Sequence, residues 1–173
     1  MEMLYDGVVE LAIITWPCVQ PLTTDFKALL HFRERAPLIV PRRHPFANRA
    51  GVTQAEIIAD AVRFLPLRWW QITPPAVAHL AARARFTMNV PSEVATYLVA
   101  EGYAMGFFTE GVIAYEQQRG SVMPVAVTDM APLFRDSALV QLDRQSDLSP
   151  AAEALVRHIQ ERATQLGILQ NSP

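Results

Sequence analysis

The chain has 173 residues, a formal net charge of -2, 51% hydrophobic residues and 18% charged residues. That is ample apolar material for a core, and it argues against disorder and against a basic face for nucleic acid. Its one cysteine, Cys18, excludes an internal disulfide and a cysteine-rich zinc site, and no run approaches the roughly 20 apolar residues of a membrane span.

The start, Met1-Glu-Met-Leu-Tyr-Asp6, is acidic where a signal peptide is basic, so the cytoplasm is the expected compartment. Val8 to Ile14 is β-branched and almost continuously apolar, which predicts a buried parallel strand. Thr15-Trp16-Pro17 ends it, because proline lacks the ladder donor and restricts its predecessor. Ala28 to Phe32 and Leu38 to Val40 are further strand candidates, divided by Arg33-Glu34-Arg35 and Pro37; the earlier one fits a helix equally well. Arg33, Arg35, Arg42 and Arg43 read as a solvated surface, with a local nucleic-acid patch as the second reading.

Thr53-Gln-Ala-Glu56 fits a capping box, so a short helix should follow. Val62 to Leu65 reads as a strand stopped by Pro66. Pro74-Pro75 opens a helix running to about Arg85, since a missing N–H costs nothing there. Phe86 to Val90 reads as a strand, and Ser92 as the N-cap of a helix closed by Gly102. The apolar run to Phe108 is then a buried strand. From Thr53 to Phe108 the pattern alternates helix and strand three times, the signature of a parallel sheet covered by helices. Val112 to Arg119 fits a short helix, and Ser121 to Val127 and Ser137 to Leu142 fit strands. Ser149-Pro150 opens an amphipathic helix with Gly167 as its stop, and the final Gln-Asn-Ser-Pro reads as a frayed tail.

Catalytic signals are weak. Cys18 has no nucleophile-like context toward His31, His44, His79 or His158, and a half-buried free thiol explains it. The histidines lack metal-ligand spacing, and there is no dinucleotide fingerprint or P-loop. No enzyme activity, metal or cofactor is expected. Binding is better supported. Thr15 follows a strand, where open α/β sheets hold ligands, although it could simply cap the turn. Ser92 offers a helix N-terminus to an anion, or merely an N-cap. Arg68 beside Trp69 and Trp70 could clamp a planar carboxylate, although tryptophans also serve ordinary packing.

Four stretches together resemble the effector-binding domain of LysR-type transcriptional regulators. Gly7-Val-Val-Glu-Leu-Ala-Ile13 is similar to that family's Gly-x-Leu-Asp-Leu-Ala-Ile, and His44-Pro-Phe-Ala47 to its His-Pro-Leu-Ala. Leu98-Val-Ala-Glu-Gly-Tyr-Ala-Met-Gly106 is similar to its Leu-Val-x-x-Gly-x-Gly-x, with Ala104 in place of the second glycine. A terminal strand pair, Leu148-Ser-Pro-Ala-Ala152 and an amphipathic helix complete the set.

The resemblance implies an α/β, two-lobed fold similar to type 2 periplasmic binding proteins, with residues 1–40 and 121–173 in the first lobe and 41–120 in the second. Leu38 to Arg43 and Ser121 to Val127 would be the crossings between them. The family's helix-turn-helix, linker helix and first strand-helix-strand would lie upstream of Met1, leaving the first lobe incomplete. Any DNA contact would come through that absent domain.

Thr15, Trp16, Leu67, Arg68, Ser92, Phe107 and Thr109 are then expected to line a cleft between the lobes that takes a small, anionic effector. The resemblance also implies a homodimer or homotetramer and no membrane partner. Two other functions stay open: the solute-binding protein of a transporter, and a truncated regulator acting only through oligomerisation.

Overall fold

The computed structural model describes residues 2–18, 25–66, 73–144 and 147–170. Its elements are α1 (Glu2–Tyr5), β1 (Ala12–Thr15), β2 (Phe26–Arg35), β3 (Leu38–Pro41), a 3-10 turn (Pro45–Asn48), α2 (Gln54–Ala59), β4 (Arg63–Leu65) and α3 (Pro75–Arg83). Then follow α4 (Ser92–Ala100), β5 (Ala104–Phe107), α5 (Glu110–Gln118), β6 (Val122–Val125), β7 (Phe134–Leu142), α6 (Pro150–Gln165) and β8 (Leu169–Gln170). The fold is mixed α/β with two four-stranded sheets. The chain divides into two compact units, Met1–Glu34 with Arg135–Pro173, and Arg35–Phe134.

The first unit carries the sheet β1-β7-β2-β8. Leu4, Phe26, Ala138 and Val140 form one core cluster with Cys18, which is buried. Leu30, Phe32 and Leu139 form another with Ala163, Val156 and Ile159 of α6. That helix starts where expected: the Ser149 hydroxyl accepts from the Ala152 N–H, and Pro150 occupies the first turn. Ser149 also donates through both its N–H and its hydroxyl to the Glu10 carboxylate, at 2.7 and 2.6 Å. These bonds hold Glu10 below its ordinary pKa.

Two expectations fail in this unit. The strand foreseen over Val8 to Ile14 is confined to Ala12–Thr15, and it pairs antiparallel with β7, Ala12 opposite Val140 and Thr15 opposite Ser137. It is an edge strand and only half-buried, with Ile13 60% exposed. A continuous apolar run looks the same whether both of its faces are covered or only one. At the C-terminus, the frayed tail expected over 170–173 begins no earlier than 171: Gln170 of β8 pairs with His31 of β2, and 171–173 lie outside the described residues.

The second unit holds the sheet β4-β5-β3-β6, in which β4 and β5 run parallel and β3 runs antiparallel to both β5 and β6. Strands β3 and β6, expected as crossings, both lie in this sheet. Leu38, Val40, Phe64, Met105 and Phe107 face Ile57 of α2 and Val77 and Leu80 of α3. Ile39, Leu65 and Ala104 face Ala95 and Val99 of α4 and Ile113 of α5. Both faces are covered, so every residue of β3 and β5 is buried, as the unbroken apolar runs require.

The caps explain the helix limits. Thr53 and Glu56 form the full capping box at α2. Gly102, Gly120 and Gly167 end α4, α5 and α6 at positive φ. Each makes the paired bonds of a Schellman motif: Gly102 N–H to the Val99 carbonyl and Tyr103 N–H to the Leu98 carbonyl at the end of α4. Phe86 to Val90 is not a full strand; Thr87 makes a single parallel bridge to Phe64.

Candidate functional site

Within the second sheet, the alternation of strand directions sends the carboxyl ends of β4, β5 and β6 and the amino end of β3 to one edge. Helix α5 begins there, directly after β5. Helix α4, joined to β5 by a short turn and packed on it, brings its N-terminus back to the same edge. Carboxyl ends of parallel strands with helix N-termini beside them are where open α/β sheets hold ligands, because the free N–H groups point outward.

Thr109 is the sharpest feature of this edge. It is the N-cap of α5, is 0% exposed, and its hydroxyl makes no capping bond. Among the described residues its Oγ1 has no hydrogen-bond partner at all. A buried hydroxyl left unpaired costs about 1–3 kcal/mol, a cost that a bound water or a ligand oxygen would remove. The strand before it is held by the Phe108 N–H donating to the Pro37 carbonyl at 3.2 Å.

Ser92 is half-buried but is not an N-cap. Pro91 takes that position and Ser92 is the first helical residue, with no side-chain cap bond. Sequence spacing alone could not separate the two, because proline leaves its own carbonyl free to start the helix: the Ala95 N–H donates to Pro91. Each helix also has an exposed glutamate in its first turn, Glu93 in α4 and Glu110 in α5. Those carboxylates offset the positive helix ends, so this edge offers directed hydrogen bonds more than bare charge.

Phe107 is 3% exposed and packs edge-on against Phe64 with ring centroids 6.1 Å apart. Its other surroundings form a pocket of about 140 Å³ lined by Pro37, Leu38, Val125, Val127, Leu133 and Arg35. Sequence reasoning missed this pocket and assigned Arg35 to a solvated arginine surface, since an arginine at a strand end has no distinctive spacing. Leu67 and Arg68, with Trp69 and Trp70, lie outside the described residues; they follow β4, whose carboxyl end reaches this edge.

Thr15 and Trp16 belong to the first unit. Thr15 ends an antiparallel edge strand, so the argument from the carboxyl end of a parallel strand does not apply to it. Trp16 sits edge-on to His31 at 5.5 Å and packs on the cluster around Phe26 and Cys18, joined to Pro17 by a cis bond. His44, in the second unit, is 7% exposed and committed on both ring nitrogens. Its Nδ1 accepts from the Phe46 N–H and its Nε2 lies 3.3 Å from the Asp60 carboxylate, which also accepts from the Val62 N–H. Among the described residues no three His, Cys, Asp or Glu side chains come together.

The model of the LysR substrate binding domain matches residues 1–164. Among solved structures, the chain is similar to the regulatory domain of Synechocystis PCC6803 CcmR, described in complex with 2-PG. The TM-score is 0.65 at 14% identity, covering 95% of this chain and 76% of that one. It is also similar to the effector binding domain of QuiR in complex with shikimate, with a TM-score of 0.64 at 16% identity over 96% of this chain and 75% of that one. A mutant of Corynebacterium glutamicum OxyR has a TM-score of 0.64 at 19% identity, and the chain, 99% covered, spans 56% of its length. These likenesses show the fold. No curated protein matches the chain by sequence.

Proposed function

This chain belongs to the LysR substrate binding domain family, and from that membership we propose that it senses a small organic anion within a LysR-type transcriptional regulator. The ligand binds at the carboxyl edge of the second sheet, with Thr109 and Ser92 as hydrogen-bonding groups and Phe107 as an apolar wall. Leu67 and Arg68, which follow β4, are further proposed contacts. Thr15 and Trp16 of the first unit stand in the proposal on the resemblance alone. The protein acts in the cytoplasm by binding and not by catalysis: the ligand stabilises one conformational state over another, and that preference is relayed to a DNA-binding domain and to the arrangement of a homo-oligomer. The binding of small molecules by relatives, 2-PG by CcmR and shikimate by QuiR, supports this class of ligand.

The observation that carries the reading is the orphan hydroxyl of Thr109 at the start of α5. It predicts an unusual pair of effects for Thr109→Val. Replacing an unsatisfied buried hydroxyl by a methyl of the same shape should leave the free protein equally or more stable. The same change should weaken a small organic acid about tenfold, because the bound ligand loses its partner. Titration calorimetry with a panel of small hydroxy and aromatic acids, beside thermal unfolding, reads both. A Thr109→Val protein that is clearly destabilised while binding as before would show the hydroxyl to be structural.

The alternative, the solute-binding protein of a transporter, is favoured by nothing in the second unit that distinguishes it. Locating the protein in the periplasm would be the result that revives it.

A further inference from the structure

The pocket behind Phe107 has a chemistry that the helix N-termini do not share. Three of its backbone acceptors are already used. The Pro37 carbonyl accepts from Phe108, the Leu133 carbonyl from Ala36, and the Ala126 carbonyl from Val52, at 2.9 to 3.2 Å. A guest meets polar and apolar surface in similar measure: the side chains of Leu38, Phe107, Val125, Val127 and Leu133, the backbone between them, and the side chain of Arg35. Its volume of about 140 Å³ is of the size of a small ring, and the pocket is open to solvent on one side. Arg35 is exposed, and among the described residues no carboxylate stands within ion-pair distance of it.

We propose that this pocket holds the apolar body of the ligand and that Arg35 at its margin selects a carboxylate, so that the ligand class is a compact aromatic or branched aliphatic monocarboxylate. The inference rests on the reading of this sheet edge as the ligand site and adds the ligand's chemistry to it. The physical grounds are complementary. A ring or an isobutyl group matches a pocket of this volume, and a guanidinium with no carboxylate beside it among the described residues offers a planar fork that matches a carboxylate. A neutral or cationic analogue of the same size gains the burial but not the fork. A larger hydrophilic acid gains the fork but cannot enter.

Calorimetric titration of the full chain with benzoate, isovalerate, benzyl alcohol and benzylamine tests this. Benzoate and isovalerate should bind saturably, and benzyl alcohol and benzylamine at least tenfold more weakly. Arg35→Gln should weaken both carboxylates tenfold or more with an unchanged melting temperature, since the side chain is exposed and has no ion pair among the described residues. Ala36→Leu, which adds volume to the pocket wall, should abolish benzoate binding. Ala131→Phe, at an exposed lining position, repeats the filling test where Ala36→Leu perturbs the fold. Carboxylate binding that survives Arg35→Gln and the filling variants but falls in Thr109→Val would overturn this inference and leave the proposed ligand edge standing. No saturable binding of either carboxylate, with a hydrophilic acid still responding to Thr109→Val, would do the same.

Discussion

Gly106 of β5 lies opposite Leu65 of β4. A Cβ placed there would meet the Leu65 carbonyl oxygen at 2.9 Å, with Leu65 Cβ and the Phe108 ring each at 3.3 Å. A backbone oxygen cannot rotate away, so Gly106→Ala is expected to destabilise the protein by about 1–3 kcal/mol, the range for overpacking. The expected sign is a lower urea midpoint with an unchanged m-value. Gly102 meets a different need, a φ of +90° with open space around it. Ala104, where the resembling family has a second glycine, sits inside β5 opposite Arg63 and needs no such freedom. Glu56 supplies a second test at this scale. Hydrogen bonds from Arg49, then from the Thr53 N–H and hydroxyl, hold its carboxyl at about 2, against an ordinary value of 4.5. Its folded pKa is depressed, so its contribution to stability is complete above pH 4.5 and is lost as pH falls toward 2. The stability difference between the native protein and Glu56→Gln should therefore shrink through that window; a constant difference would show the charge to be idle. The capping box behind this was legible in the sequence, because Thr53 and Glu56 are three residues apart and meet in any helix.

Helix ends are the elements' most local feature, and the glycine stops at Gly102 and Gly167 were readable for that reason. Helix α6 carries a measurable case at its other end. Ser149→Ala removes the hydroxyl that accepts from Ala152 and donates to Glu10. A loss of about 0.5–2 kcal/mol is expected, the range for an N-cap replaced by alanine, read by chemical denaturation. Strands were less legible. Strand β5 is buried on both faces and β1 on one, yet both read as apolar runs, since pairing direction and edge position depend on neighbours distant in sequence. Ser92 erred for a smaller reason: Pro91 and Ser92 are both good residues to begin a helix, and one position separates N-cap from first turn.

At the scale of the molecule, the first sheet leaves β1 as an edge, with Ile13 60% and Val8 66% exposed nearby. Helix α6 adds exposed Leu155, and its C-cap Leu166 is exposed in the same unit. An unpaired edge with apolar neighbours is a template for another chain. The protein is therefore expected to sediment as a dimer or larger species, and Ile13→Lys, a charge on that edge, should shift it toward monomer. A monomer at high concentration, unchanged by Ile13→Lys, would remove this surface from the account of association.

Composition, caps and apolar periodicity established an α/β chain with a parallel segment between Thr53 and Phe108, because each of those signals acts between residues within a turn or a strand of one another. The family resemblance rested on short motifs of the same kind. Which strand lies at an edge, that Thr109 is buried without a partner among the described residues, and that Arg35 borders a pocket were settled only when distant segments met. The pocket is built from residues 35–38, Phe107, 125–127 and 130–133. No local pattern links four such segments, since their shared surface exists only once β3, β5 and β6 have paired and the chain beyond β6 has folded back over their ends.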